Sequence, residues 1–197
     1  MNPNHPKKGS KIRTEPIKSI EDIQKVKKHL VKNPRNYAIF TLGINTNLRA
    51  SDIIGLNIED ISEMTPGDIL NNKDKKIQRY QQRSLNKAVI DAIKIWLHHH
   101  PDKSNPKAPL FTSQRGNRLT VPAMSRMVKS WCNNAKISKG HYASHSLRKT
   151  FAYHAINTFK EQFHLVSAAL GHRDHKTTLA YLGIQDKEIK EVFMNEL

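Results

Sequence analysis

The last third of the chain concentrates side chains that are suited to phosphate chemistry. His145 and Arg148 are three residues apart, so a helix that begins near them places a proton carrier and a permanent cation on one face. The planar guanidinium fork matches two oxygens of a phosphate. His172 adds another donor, and Tyr181 follows nine residues later. These residue types predict a site that holds a phosphate next to a tyrosine hydroxyl.

A tyrosine hydroxyl is a poor nucleophile near its ordinary pKa of about 10. Cations close to it favour the phenolate and stabilise a negatively charged transition state. Each residue also has an ordinary interpretation when it is taken alone. Arg148 is then a surface phosphate contact, His145 a helix cap, and Tyr181 a core aromatic like Tyr37 or Tyr153.

Three segments, in this order along the chain, resemble the sequence boxes of the tyrosine recombinases of the phage-integrase type. Residues 48–52 (LRASD) resemble the first arginine box, LRxSE, with Asp in place of Glu. Residues 145–150 (HSLRKT) resemble the HxLRxT box. Residues 170–172 (LGH), followed by TT at 177–178 and by Tyr181, resemble the last box. Three ordered boxes that end in a tyrosine are a far more specific signal than any one of them.

The resemblance implies a role for each of these side chains. Arg49 and Arg148 would clamp the scissile phosphate, and Tyr181 would attack it to form a 3′-phosphotyrosyl link. His145 would assist proton movement, and His172 would hydrogen-bond the phosphate. No metal or nucleotide cofactor is implied, because the covalent link conserves the energy of the bond.

Two further expectations concern groups beside this set. The resemblance implies that Asp52 orients its neighbours instead of reacting. Three consecutive histidines at 98–100 invite a metal-site interpretation. Neighbouring side chains on a helix point in different directions, so a solvated helix end is the better prediction there.

The family also uses a lysine in a β-hairpin as general acid toward the leaving 5′-oxygen, in a context of the form K-T-x-K-x-R-x-x-P-L. The matching stretch here is residues 76–85, and counting back from Leu85 selects Lys76. The Thr and Pro of the pattern are absent, so Lys73 and Lys75 remain candidates. A lysine suits the role because its pKa shifts readily near Arg and DNA.

Charge is the strongest signal in the composition. The chain of 197 residues has 33 Lys and Arg against 17 Asp and Glu, a formal net charge of +16. Such an excess, spread along the whole chain, favours an extended face for a polyanion. We expect double-stranded DNA as the partner, with a homo-oligomer, a dimer or tetramer, forming on it. No apolar run approaches membrane-spanning length, and a cytoplasmic, nucleoid-associated protein is expected.

Hydrophobic periodicity predicts an α+β fold that is mainly helical, with a small antiparallel sheet, and the resemblance makes it the tyrosine-recombinase catalytic fold. The sheet is expected within residues 68–85, and short strands at 58–61 and 110–111. Helices are expected at residues 20–32, 35–45, 48–56, 86–98, 122–136, 146–158, 162–170, 177–182 and 186–195.

The expected domain organisation is a basic flexible arm at residues 1–18 and a catalytic domain at 19–197. The function that the resemblance implies is site-specific recombination or integration, by cleavage and rejoining of DNA strands. The alternative is a DNA-binding accessory protein that has the same fold and has lost turnover, which the departures around Lys76 support. A type IB topoisomerase is a third class with this chemistry.

Overall fold

The computed structural model describes residues 14–74, 79–171 and 175–182. Within these residues the fold is mainly helical with one two-stranded antiparallel sheet, which confirms the predicted fold class. The expected helix at 186–195 lies outside the described residues. The helices are α1 Ile20–Leu30, α2 Pro34–Thr46, α3 Ala50–Gly55, α4 Lys87–His98, α5 Val121–Asn134, α6 Ser144–Asn157, α7 Phe163–Leu170 and α8 His175–Leu182.

Local side-chain caps explain where the early helices begin. The Ser19 hydroxyl accepts a hydrogen bond from the Asp22 backbone N–H (3.4 Å) and so caps α1. Asn33 caps α2 in the same manner, through the N–H of Asn36 (3.1 Å). Such side chains satisfy backbone donors that the first turn of a helix leaves without a partner.

The predicted sheet is a β-hairpin of β1 Ile69–Asp74 and β2 Arg79–Ser84. The strands are antiparallel, with Ile69 opposite Ser84 and Asp74 opposite Arg79. Below the hairpin, the Leu85 backbone N–H donates to the Asp68 carbonyl (2.9 Å) and closes the base. Residues 75–78, which connect the two strands, lie outside the described residues.

The two short strands expected elsewhere are wrong. Residues 58–60 form one turn of 3₁₀ helix, because the Asp60 carboxylate accepts the Asn57 N–H (2.7 Å) and caps the turn. Leu110 and Phe111 are fully buried but lie between two isolated bridges, Asn57 with Pro109 and Thr112 with Arg118. Burial explains the apolar pattern of these segments without any regular strand.

The histidine run at 98–100 is only partly the solvated helix end that we expected. His98 and His99 are exposed, but His100 is buried against Trp96, with ring centroids 5.0 Å apart. The His100 Nδ1 accepts the Asp102 N–H (3.0 Å), so its Nε2–H donates to the Pro109 carbonyl (3.1 Å). Among the described residues no cluster of His, Cys, Asp and Glu could hold a metal ion.

Helices α2 and α6 cross at close range in the centre of the fold. A Cβ atom built on Gly43 of α2 would lie 2.5 Å from Cδ1 of Leu147 on α6, well inside any real contact. Glycine at this position therefore lets the two helices approach. Because α6 also carries His145 and Arg148, this contact fixes the helix on which the candidate site is built.

The buried apolar residues form two clusters of very different size. The large cluster includes Phe40 of α2 and Leu147 of α6 and extends through the first six helices. The second is the small cluster, which consists of Ala152, Ala155, Val166 and Leu170, with Tyr181 and Leu182 packed on it. Within the described part of the chain, α8 thus packs on the small cluster.

The chain enters the domain along α6. Residues 14–18 belong to the expected arm, yet Ile17 is fully buried. Its N–H donates to the Thr150 hydroxyl (2.8 Å), and its carbonyl lies 2.9 Å from Nε2 of His154. Within the described part of the chain, no helix is long and apolar enough to cross a membrane.

Candidate active site

Helix α6 carries two of the predicted site residues on neighbouring turns. The helix begins at Ser144, and the Ser146 hydroxyl accepts the N–H of Ala143 (3.1 Å) just before it. His145 lies on the first turn and is exposed, whereas Arg148, one turn later, is only 3% exposed. The spacing of three residues places both side chains on the same face, as the sequence predicted.

Arg148 is held by the backbone of two other segments. Its Nη1 donates to the Asn47 carbonyl (2.8 Å) and its Nη2 donates to the Leu170 carbonyl (2.6 Å). The Asn47 side chain in turn donates to the Ala169 carbonyl (2.5 Å), which ties the same two segments together. Charge-assisted bonds of this kind fix the plane of the guanidinium group as well as its position.

At Asn47 and Gly171 the backbone is left-handed, and these two positions lie at the carbonyls that Arg148 binds. Asn47 follows α2 with φ 57°, and asparagine tolerates this region better than most residues. Gly171 ends α7 with φ 66°, the ordinary use of glycine at a helix C-terminus. His172, the next residue, lies outside the described residues, as does its predicted contact with phosphate.

Arg49 comes to the same site from the start of α3. The Asp52 carboxylate accepts the backbone N–H of Arg49 (3.1 Å), and the Arg49 carbonyl accepts the N–H of Ile53 (3.0 Å). Asp52 therefore orients the backbone that carries Arg49, which agrees with its predicted supporting role.

Tyr181 lies on α8, against α6 and the two arginines. Its ring centroid is 5.1 Å from that of His145, and the two rings are perpendicular. The Lys149 ammonium lies 5.4 Å from the same centroid. The structure therefore brings His145, Arg148 and Tyr181 together, with Arg49 as a further neighbouring charge.

Burial and the neighbouring positive charges shift the pKa of the Tyr181 hydroxyl in opposite directions. Burial raises the pKa of the Tyr181 hydroxyl well above its ordinary value, and the Arg148 and Arg49 guanidinium groups oppose part of that rise. Burial also lowers the pKa of Arg148, which the Tyr181 hydroxyl raises and Arg49 lowers further. An arginine remains charged through such shifts, so the hydroxyl faces permanent cations.

The predicted general acid, Lys76, lies outside the described residues, as does Lys75. Lys73 is opposite Tyr80 in the strand register. The choice among these three lysines therefore stays a prediction.

The sequence analysis gave no role to four side chains that shape the site. Asn47 links Arg148 to the end of α7. Ser167 and Thr178 place their hydroxyl oxygens 2.9 Å apart between α7 and α8. Lys149 occupies the unspecified position of HxLRxT, and its spacing of four residues from His145 was the available signal.

The family comparison agrees with the boxes. The model of the phage integrase family matches residues 9–188, so the chain belongs to this family and carries a tyrosine recombinase catalytic domain. Among curated proteins, it is similar to the tyrosine recombinase XerC of Caldanaerobacter subterraneus subsp. tengcongensis, with 30% identity over 158 residues. That match covers 80% of this chain and 43% of XerC.

Two further comparisons bear on length and fold. The probable integrase/recombinase YoeC of Bacillus subtilis (strain 168) is 28% identical over 184 residues, which cover 91% of this chain and 94% of YoeC. The chain thus spans less than half of XerC but nearly all of YoeC. A crystal structure of the site-specific recombinase XerH, bound to palindromic difH substrate in a post-cleavage complex, has the same fold. The TM-score is 0.69 at 22% identity, over 91% of this chain and 53% of XerH.

Proposed function

We propose that this chain cuts and rejoins duplex DNA at specific sites through a 3′-phosphotyrosyl intermediate on Tyr181. One observation carries the proposal: the Tyr181 hydroxyl is buried beside the Arg148 and Arg49 guanidinium groups, with the His145 ring against its own. Phosphoryl transfer needs a positioned nucleophile and fixed cations where negative charge develops. Family membership supports the same chemistry.

The reaction balances without a cofactor. The Tyr181 oxygen bonds to phosphorus as the bond from phosphorus to the 5′-oxygen breaks, and the hydroxyl proton leaves toward His145 or water. The 5′-oxygen takes a proton, for which Lys76 is the proposed donor. Attack by a new 5′-hydroxyl reverses these steps and releases Tyr181, so the energy of the phosphodiester bond is kept.

Arg148 and Arg49 bind the scissile phosphate in this scheme. A guanidinium group has five N–H donors, and the carbonyls of Asn47 and Leu170 occupy two of those on Arg148. The anchored group needs little reorganisation when charge develops, which is the condition under which electrostatic stabilisation is most effective. His172 would add a donor to the same phosphate.

The net charge of the chain and its family both support DNA as the binding partner. A formal net charge of +16 suits the phosphate backbone of DNA, and binding should weaken steeply with salt. We assign residues 19–197 to the catalytic domain and residues 1–18 to a basic arm that adds phosphate contacts and is anchored on α6 through the buried Ile17. Assembly as a dimer or tetramer on nucleoid DNA would align the two strands for exchange, and XerH, a relative in fold, is itself bound to a palindromic substrate.

A suicide-substrate assay tests the proposal. Nicked duplexes drawn from a library of candidate sites lose the 5′-end that would reverse the reaction, so a covalent complex accumulates. We expect a denaturant-resistant adduct with the wild-type protein and none with Tyr181→Phe, which should still bind the DNA. Tyr153→Phe is the matched control, because Tyr153 is a tyrosine of α6 whose ring also lies under a lysine, and this variant should retain the adduct.

The alternatives predict different results in the same assay. An accessory protein would retain DNA in a salt-sensitive manner without any adduct. A topoisomerase would relax plasmids of unrelated sequence. Binding of the captured site by the wild-type protein without adduct formation contradicts the recombinase proposal.

A further inference from the structure

Lys149 lies over the ring of the proposed nucleophile. Its ammonium is 5.4 Å from the Tyr181 ring centroid, within the range of about 6 Å over which a cation is attracted to an aromatic face. Lys149 is one turn of α6 beyond His145, whose ring is 5.1 Å from that of Tyr181. Two consecutive turns of one helix therefore contact a single ring.

The surroundings strengthen this contact. Lys149 is half-buried, and a cation over a ring is more strongly attracted when water is partly excluded. Among the described residues, the buried apolar side chains that pack against Tyr181 belong to the small cluster. The contact with Lys149 adds a polar constraint to what orients the ring toward the phosphate.

The charge of Lys149 also matters once the hydroxyl ionises. A phenolate spreads negative charge into the ring, so a cation over the ring attracts the phenolate more than the neutral phenol. Among the described residues, the other charged or titratable groups that face Tyr181 are His145 and Arg148 from α6 and Arg49 from the start of α3. The one titratable side chain of α7 is His164, which is exposed.

We propose that Lys149 is a positioning residue for Tyr181, which holds the ring against α6 and stabilises negative charge on it during attack. This inference rests on the function proposed above and adds a residue that the HxLRxT box leaves unspecified. The role is distinct from the general acid, which is assigned to the hairpin.

Three variants test the role of the charge. Lys149→Met keeps the length of the side chain and removes the ammonium, and Lys149→Arg keeps the cation. We expect Lys149→Met to form the covalent complex about 3- to 30-fold more slowly at pH 7, the range that a cation over a ring can supply, and Lys149→Arg to recover most of the rate. Lys87→Met is the control, because the exposed Lys87 ammonium is paired with the Asp91 carboxylate on α4 (2.6 Å) and has no proposed role in binding or cleavage.

A pH profile separates charge from packing. Above about pH 10 an ordinary lysine ammonium loses its charge, whereas arginine keeps it. The ratio of the wild-type rate to the Lys149→Met rate should therefore shrink as the pH rises past about 10, whereas the ratio for Lys149→Arg should stay constant. Urea unfolding and DNA retention of all variants establish that folding and binding are intact.

The outcomes distinguish this inference from the proposed function. A wild-type protein that forms no adduct contradicts the proposed function and, with it, the role of Lys149. If the wild-type protein and Lys149→Met form the adduct at the same rate, only the inference about Lys149 is contradicted. If Lys149→Met is slow, Lys149→Arg is equally slow and the deficit does not change with pH, then Lys149 acts through packing. That result also contradicts the inference.

Discussion

Arg148 and Tyr181 lie side by side, but the structure holds them in different ways. Arg148 projects from α6, which packs through Leu147 into the large cluster, and two backbone carbonyls fix its guanidinium group. Tyr181 projects from α8, which rests on the four buried residues of the small cluster and on the hydroxyl pair of Ser167 and Thr178.

The two sides of the site therefore differ in how firmly the structure holds them. Segments with few buried apolar contacts open at lower free energy than the core of the same protein. We therefore expect the Arg148 side of the site to be the more rigid one and the Tyr181 side to open at a lower free energy.

The largest effect should come from Arg148→Lys. A lysine cannot bond both the Asn47 and the Leu170 carbonyls, and a buried acceptor without a donor is costly, so we expect a loss of about 3 kcal/mol in the free energy of unfolding. Tyr181→Phe removes one hydroxyl from the less tightly held side and should cost about 1 kcal/mol or less. Urea denaturation at pH 7 measures both values, and equal losses would remove the distinction between the two sides.

Gly43→Ala should have a smaller effect on the large cluster. The added Cβ would meet Leu147 Cδ1 at 2.5 Å and push α2 away from α6. Overpacking of this kind costs about 1 to 3 kcal/mol, which outweighs the gain of about 1 kcal/mol in helix propensity.

Gly55→Ala in α3 is the control for Gly43→Ala, because nothing lies within 4 Å of its new Cβ. This variant should be neutral or slightly stabilising in the same urea experiment. If Gly43→Ala proves equally harmless, the close approach of α2 and α6 does not constrain the helix that carries Arg148.

The sequence was sufficient for features that local chemistry determines. Ser19 predicted the start of α1, and the polar run before Leu85 predicted the hairpin. The spacing of His145 and Arg148 predicted their shared helix face. Each of these follows from residues within a turn or two of one another.

The remaining features depend on partners that are distant in the chain. Arg148 donates to carbonyls 101 and 22 residues away, and no local pattern specifies that pairing. Leu110 looked like a strand because it is apolar, but it is buried beneath Trp96, whose indole N–H donates to the Leu110 carbonyl (2.7 Å). An apolar pair indicates burial and does not reveal which secondary structure accompanies it.

The smallest expected effect concerns the hydroxyl pair that joins α7 to α8. Ser167→Ala or Thr178→Val removes one partner of a buried hydrogen bond and should cost about 1 kcal/mol each, whereas the double variant should cost less than the sum of the two. A coupling energy of about 0.5 to 1 kcal/mol in this double-mutant cycle would identify the pair as a direct tie. If the tie also orients Tyr181, both single variants should slow adduct formation while DNA binding is unchanged. Additive losses of stability would contradict the tie, and the small cluster alone would then hold the helix that carries the nucleophile.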